Sequence, residues 1–109
     1  ADPAALEAAA PALRAGGARL QLVLNAAGVL HGAGLAPERA LAQVTPEALA
    51  HAFAINAFAP ILLARAVQPC VPRDAPAVLA SLSARVGSIG DNALGGWYAY
   101  RASKAAHNQ

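Results

Sequence analysis

The chain has 109 residues, of which 57% are hydrophobic and 13% are charged. This composition excludes a disordered chain, and the length allows one small domain at most. The net charge is +2 and the arginines are scattered, so the sequence predicts no nucleic-acid partner.

Signals for a membrane, a metal or secretion are weak throughout the sequence. The longest apolar runs contain Pro, Gly or charged residues, so we expect no membrane span and no membrane partner. The single cysteine, Cys70, cannot form an internal disulfide, and no Cys/His cluster has metal-ligand spacing. No basic segment precedes an apolar core at the start, so we expect no signal peptide. The sequence therefore predicts a cytoplasmic protein without a bound metal.

A helix and a strand are predicted in the first part of the chain. Asp2-Pro3 is typical of a helix start, with Asp at the N-cap and Pro at the first helical position, and Gly16-Gly17 should end that helix. The apolar run Leu20 to Leu24 shows little alternation, which predicts a strand covered on both faces. A loop rich in Gly, Ala and Pro follows, through Gly32-Ala33-Gly34 to Pro37.

A long helix, a second strand and a last helix are predicted in the second part. Thr45-Pro46 is another helix start, and the apolar segment from there runs to about Val71. Pro60 lies inside it and should disturb the helix one turn earlier, near Asn56, because proline lacks an N–H group and its ring clashes with that turn. The run from 77 to 83 predicts another buried strand, and the last helix begins near Trp97.

The order helix-strand-helix-strand-helix predicts an α/β fold with a parallel sheet and right-handed crossovers. Two strands alone leave both edges unpaired, so the pattern suggests the middle of a larger fold. The chain also contains no methionine, even at position 1. We therefore interpret residues 1–109 as a single incomplete domain, a partial Rossmann-like doubly wound parallel sheet.

The final helix carries a tyrosine and the chain's only lysine, Tyr100 and Lys104. Positions i and i+4 share a face of a helix, so the phenol and the ammonium can point into one cleft. A cation beside a phenol favours the phenolate, which makes the phenol a usable proton donor and acceptor. Tyr98 is the competing tyrosine, but its i+4 partner is Ala102. The alternative, an ordinary amphipathic helix with one aromatic and one solvated lysine, stays open.

Polar residues follow both predicted strands, at the edge where open α/β sheets bind their ligands. After the first strand comes Asn25-Ala26-Ala27-Gly28, where the Asn amide can cross-link neighbouring strands and Gly28 permits a close backbone approach; a plain turn is the alternative. Ser81, Ser83 and Ser88 lie around the end of the second strand.

Asn56 is a polar residue in the otherwise apolar helix, one turn before Pro60. It either satisfies carbonyl groups that the kink frees or holds a functional water.

Together these segments resemble the short-chain dehydrogenase/reductase family. Asn25-Ala26-Ala27-Gly28 is similar to its Asn-Asn-Ala-Gly motif, Ile55-Asn56-Ala57 to its helix asparagine, and Tyr100 to Lys104 to its Tyr-x-x-x-Lys. Ala80 to Ser83 resembles the strand with the active-site serine. Within the family, Ser83 to Gln109 looks most like C-factor-type signalling proteins and sniffer-type carbonyl reductases.

The resemblance implies a fold, a cofactor and residue roles. It implies NAD or NADP as cofactor, a small carbonyl or alcohol substrate, Tyr100 as general acid/base, and Lys104 as the group that promotes Tyr100 ionisation and binds the nicotinamide ribose. Asn56 would anchor a water that relays protons from Lys104. Asn25, Ala26 and Gly28 would border the cofactor.

The sequence offers two candidates for the active serine. The family often has Ser-Ser where this chain has Ser83-Ala84. Ser83 is the first choice and Ser88 the second. The resemblance further implies a homo-oligomer that forms through the long helix and the last helix.

The family's Gly-rich phosphate-binding turn is missing from this sequence. Gly32-Ala33-Gly34 lacks the third glycine and opens no helix, so we interpret it as a loop. Two hypotheses remain: the central piece of an NAD(P)-dependent oxidoreductase, or a catalytically silent remnant that acts as an interaction module. In both, we expect the 109 residues alone to be inactive.

Overall fold

A computed structural model of the protein describes residues 2–32 and 34–109. Ala33, in the loop predicted at Gly32–Pro37, lies outside the described residues. The helices and strands alternate as predicted: α1 (Pro3–Ala15), β1 (Leu22–Asn25), α2 (Pro46–Phe53), α3 (Ala59–Val67), β2 (Val78–Ser81) and α4 (Tyr98–Asn108).

Both predicted caps at helix starts are present. The Asp2 carboxylate accepts a hydrogen bond from the N–H of Ala4 at 2.9 Å at the start of α1. The Thr45 hydroxyl accepts one from the N–H of Ala48 at 3.1 Å at the start of α2. Each side chain satisfies a backbone donor that the first helical turn leaves free. At the other end of α1, Gly16 is the C-cap and Gly17 has φ +69°, which confirms the predicted stop.

The predicted disturbance one turn before Pro60 is also present. The π-helical segment Ala54–Phe58 joins α2 to α3, and a 3₁₀ turn, Gln68–Cys70, ends the long helix. The wider π turn accommodates the missing N–H and the ring of the proline. Asn56 lies within this π turn and is fully buried.

The long helix is the one segment of the described residues that is long and apolar enough to cross a membrane. It spans Pro46–Cys70, 25 residues. Core helices of non-membrane proteins pass the same test of length and composition. The expectation of no membrane partner, which was based on Pro60 and the charged residues, therefore stays a prediction.

The two strands pair in parallel. The register places Leu22 opposite Val78 and Asn25 opposite Ser81, and the long helix forms the crossover between them. Their carboxyl ends therefore meet at one edge of the sheet. This pairing confirms the predicted α/β fold class.

The prediction that both strands are buried on both faces is wrong for this chain. Leu22 is 66% exposed, Leu24 is 60% exposed and Val78 is 58% exposed. The reason is the packing of the helices: α1 packs along α3, and α4 packs against α2 and the π turn. Within residues 2–32 and 34–109, no helix packs extensively over the apolar side chains of the sheet.

The loop before α4 ends in three consecutive residues with left-handed backbone. Gly95 and Gly96 have φ +67° and Trp97 has φ +50°. A Cβ on Gly96 would lie 3.1 Å from the carbonyl oxygen of Glu38, and Trp97 N–H donates to that same carbonyl at 2.7 Å. Glycine suits this turn because it tolerates positive φ and leaves room for the close approach.

Candidate active site

Tyr100 and Lys104 lie one turn apart on α4, and both line the same cavity. The ammonium nitrogen of Lys104 is 5.9 Å from the centre of the Tyr100 ring. It donates a hydrogen bond to the carbonyl oxygen of Leu82, one residue past β2, at 3.0 Å. Lys104 is only 3% exposed, and this burial lowers the pKa of its ammonium, because a charged group is less stable away from water. The buried lysine contradicts the alternative of a solvated one.

The Tyr100 ring is held by its neighbour at the start of the helix. Trp97 packs edge-on against it, with ring centres 6.3 Å apart and an interplanar angle of 78°. Tyr98 faces a different groove, which it lines together with Ser88 and Arg101. The two tyrosines therefore line separate grooves, and the choice of Tyr100 over Tyr98 stays a prediction.

A cavity of about 360 Å³ opens at the carboxyl edge of the sheet, between the segment after β1 and the side chains of α4. Its lining combines backbone from the first segment with the candidate tyrosine and lysine; the residues are Ala26, Ala27, Gly28, Val29, Leu30, His31, Leu82, Ser83, Tyr100 and Lys104. An open α/β sheet binds its ligands at this edge.

Gly28 lies against the lysine. A Cβ added at this position would lie 3.3 Å from the Lys104 ammonium nitrogen and 3.5 Å from the Asn56 side-chain oxygen. The backbone at Gly28 has an ordinary negative φ, so the close approach explains the glycine and backbone conformation does not.

Asn25 links the two strands at the edge of the cavity. Its amide nitrogen donates to the Ser81 hydroxyl at 2.8 Å, and its amide oxygen accepts from the N–H of Ala27 at 3.1 Å. The Leu82 N–H donates to the Asn25 carbonyl at 2.9 Å. The side chain therefore joins the strands and shapes the turn that leads into the cavity.

Asn56 connects the segment after β1 to α4. Its amide oxygen accepts from the Val29 N–H at 2.8 Å, and its amide nitrogen donates to the Val29 carbonyl at 2.9 Å and to the Ser103 hydroxyl at 3.0 Å. The alternative in which this amide satisfies carbonyls of its own kinked helix is wrong, because both amide hydrogens go to other segments. Its role in holding a water stays a prediction.

The three candidate serines lie in different environments. Ser83 lines the cavity with Tyr100, and its hydroxyl donates to the Asn108 side-chain oxygen at 2.5 Å. Ser88 lines the separate groove that contains Tyr98, and its hydroxyl accepts from the Asp91 N–H at 3.3 Å. Ser81 is engaged by Asn25. The placement favours Ser83 over Ser88.

Three residues near the site were not among the sequence candidates. Ser103 is completely buried and donates to the Tyr100 carbonyl at 2.9 Å. The imidazole Nδ1 of His107 lies 2.9 Å from the Asn56 carbonyl oxygen. Glu38 is 4% exposed and its carboxylate accepts from the Ala99 N–H at 3.4 Å. The i, i+4 spacing of Ser103 and His107 was the one available signal, whereas nothing local marks Glu38.

The fold and this edge define a Rossmann-like α/β protein with a tyrosine and a lysine beside its ligand-binding crevice. A family model described as enoyl-(acyl carrier protein) reductase matches residues 1–109. The C-signal protein of Myxococcus xanthus is 41% identical over 69 residues, which is 63% of this chain and 42% of that protein.

Solved structures of short-chain dehydrogenases and reductases are also similar to this chain. Carbonyl reductase Sniffer of D. melanogaster superposes with a TM-score of 0.84 at 26% identity, over 98% of this chain and 46% of that one. A short-chain dehydrogenase/reductase from Burkholderia multivorans, solved with bound NADP, has a TM-score of 0.81 at 28% identity, over 99% and 44% of the two chains.

The chain belongs to the short-chain dehydrogenase/reductase family, as its motifs indicated. It spans less than half the length of each of these three proteins.

Proposed function

We propose that the protein is an NAD(P)-dependent oxidoreductase that transfers hydride between a nicotinamide and a small carbonyl or alcohol substrate. The observation that carries this proposal is the convergence of Tyr100 and Lys104 on the cavity at the carboxyl edge of the sheet. The family's activity and the NADP bound to the Burkholderia multivorans structure support it.

The described residues fit the nicotinamide-ribose part of such a cofactor. The Lys104 ammonium can donate to ribose hydroxyls, and the missing side chain at Gly28 leaves space beside it, since a Cβ there would lie 3.3 Å from the ammonium nitrogen. Asn25, the last residue of β1, and Ala26, which follows it, would border the same part of the cofactor. The sequence contains no G-x-G-x-x-G turn, so this chain does not supply the usual cradle for the pyrophosphate.

Tyr100 would act as the proton donor to the carbonyl oxygen and, in the reverse direction, as the proton acceptor from the alcohol. When bound, NAD(P)H supplies the hydride. The Lys104 ammonium favours the phenolate that remains on Tyr100, because opposite charges attract strongly where water is excluded. Its hydrogen bond to the Leu82 carbonyl holds the ammonium in place beside the tyrosine.

Ser83 would orient the substrate oxygen. Its hydroxyl hydrogen is directed to Asn108, so this role requires the hydroxyl to rotate toward the cavity when substrate enters. Hydroxyl rotation about a single bond is fast and involves no backbone movement.

The test uses the natural protein at its full length and follows NADPH and NADH oxidation with a panel of small aldehydes and ketones. Tyr100→Phe should lower kcat by about 100-fold or more, the usual contribution of a general acid, and leave cofactor affinity nearly intact. Lys104→Ala should impair both. The matched control is Tyr98→Phe, which removes a hydroxyl from the same helix outside the cavity and should leave kcat unchanged. Equal, small effects of Tyr100→Phe and Tyr98→Phe would contradict the assignment.

Self-association and cellular location complete the proposal. The long helix exposes Phe58 and Ile61, which are 56% and 71% exposed, and we propose that the protein forms a homo-oligomer through this helix and α4. Ile61→Lys should shift the mass measured by analytical ultracentrifugation toward the monomer.

We also propose a cytoplasmic location, where the free thiol of Cys70 would stay reduced.

A second candidate function is favoured by the exposed apolar sheet. Leu22, Leu24 and Val78 leave a surface that a catalytically silent chain would use as an interaction module. The intact mass of the native product separates the two candidates: a mass near 10.9 kDa would favour the silent module, and a larger mass the enzyme.

A further inference from the structure

The backbone carbonyl of Asn56 lacks its usual helical donor. In a regular α-helix this carbonyl would accept from the nitrogen of residue 60, but that residue is proline and has no N–H. In the structure, the imidazole Nδ1 of His107 lies 2.9 Å from this oxygen. A side chain from α4 thus reaches a carbonyl whose regular α-helical donor is missing.

Two side chains of α4 bind Asn56, one at its side-chain amide and the other at its backbone carbonyl. Ser103 and His107 are four residues apart and therefore share a face of the helix. Ser103 accepts from the Asn56 side-chain amide at 3.0 Å, while His107 binds the Asn56 carbonyl. Asn56 in turn binds both the N–H and the carbonyl of Val29, next to the glycine that faces Lys104.

We propose that His107 is a positioning residue for the reaction. Its Nδ1–H donates to the Asn56 carbonyl, fixes the π turn against α4, and so keeps the segment at Gly28 and Val29 at the correct distance from Lys104. The part of this proposal that concerns the reaction rests on the proposed oxidoreductase function. The part that concerns the contact does not.

The protonation state of the ring follows from the geometry. A carbonyl oxygen can only accept a hydrogen bond, so the ring nitrogen that faces it must carry the hydrogen. In the neutral imidazole, His107 is therefore the Nδ1–H tautomer and its Nε2 is unprotonated. Nitrogen-15 NMR of the natural protein above the pH at which the ring ionises reports this directly. A ring protonated on Nε2 alone would overturn the proposal without any substitution.

Two substitutions test the positioning role. His107→Leu removes the donor, and His107→Asn places an amide nitrogen close to the position of Nδ1 and should restore it. The probe is hydrogen exchange of the Val29 amide, whose N–H donates to the Asn56 side chain. In His107→Leu its exchange should be about fivefold to tenfold faster, the equivalent of one neutral hydrogen bond. The reference amide is Val78, which donates to Gln21 at 2.8 Å at the opposite end of the sheet.

The same variants are compared in the reductase assay. His107→Leu should lower kcat by a similar factor, and His107→Asn should recover most of it. The control, His51→Leu, removes an exposed imidazole from α2 and should change neither quantity. Unchanged Val29 exchange or unchanged kcat in His107→Leu overturns the proposal, and so does a failure of His107→Asn to restore them while Val78 exchange stays normal.

The proposal and the proposed function fail differently. If the natural protein reduces no carbonyl, the oxidoreductase function falls, and the tautomer and the Val29 exchange still decide whether His107 holds the π turn. If reduction occurs and the ring is protonated on Nε2, only the role of His107 falls.

Discussion

Replacing Asn56 by leucine should destabilise the protein strongly. The two side chains have the same number and branching of heavy atoms but leucine is the larger, so the substitution removes hydrogen bonds and leaves no cavity. Asn56 is fully buried and makes three side-chain hydrogen bonds of 2.8 to 3.0 Å, two to Val29 and one to Ser103. Each such bond contributes about 1 kcal/mol net, so we expect a loss of about 3 kcal/mol in the free energy of unfolding.

A buried polar group that loses its partner costs about 1 to 3 kcal/mol. We use the lower value for each bond because Val29 is only half-buried and water can reach it. A small domain is stable by about 5 to 15 kcal/mol, so this loss is a large fraction of the total. With a urea m-value of about 1.5 kcal/mol/M, the midpoint of unfolding should fall by about 2 M at an unchanged m-value.

The matched control for this experiment is Asn92→Leu. It makes the same chemical change at an exposed position, where Asn92 accepts one hydrogen bond from Arg101. Surface changes of this kind usually stay within about 0.5 kcal/mol. If the urea midpoints of Asn56→Leu and Asn92→Leu are equal, the hydrogen bonds of Asn56 do not stabilise the packing of the site, and the reasoning from burial is refuted.

Three further predictions concern packing, pH and capping. In Gly87→Ala the new Cβ would lie 2.9 Å from the Lys104 Cβ and 3.0 Å from its backbone carbon, so α4 must shift. We expect the free energy of unfolding, measured with heat or urea, to fall by about 1 to 3 kcal/mol. A smaller fall than that of an exposed substitution would contradict the contact. Burial lowers the pKa of Lys104 from 10.5, so unfolding takes up a proton between the lowered pKa and 10.5. The stability of the wild type relative to Lys104→Met should therefore rise with pH in that window and stay constant below it; a fall in that window would show that the charged form is favoured by the fold. Thr45→Ala removes the N-cap of α2 and should cost about 1 kcal/mol, whereas Thr45→Ser should retain most of the stability.

The element order and the ends of the helices could be predicted from local sequence. Asp2-Pro3 and Thr45-Pro46 determine helix starts because cap and proline act within one turn, and the structure has both. The disturbance of the helix near Asn56 followed from Pro60 by the same local reasoning, although its form as a π turn did not. The burial of the strands could not be predicted in this way, because apolar composition does not specify which helices pack on a sheet.

The candidate site was likewise predictable only in part from the sequence. The i, i+4 spacing of Tyr100 and Lys104 predicted that they share a face, since helix geometry alone determines it. The hydrogen-bond partners of the site residues were not predictable from sequence. Lys104 binds the Leu82 carbonyl, 22 positions away in the chain, and Asn56 binds Ser103, 47 positions away. These are backbone carbonyls and common side chains, which leave no distinctive pattern in a sequence.

The sequence by itself determined the α/β order, the family and the tyrosine-lysine pair, because each depends on short local patterns and on their order along the chain. The tertiary structure alone decided that Lys104 is buried, that Ser83 and not Ser88 shares the cavity with Tyr100, and that His107 binds the carbonyl in the π turn. Those results depend on how α4 lies against the long helix and the strand ends. That arrangement is the sum of many weak contacts between distant segments, and no local stretch of the chain encodes it.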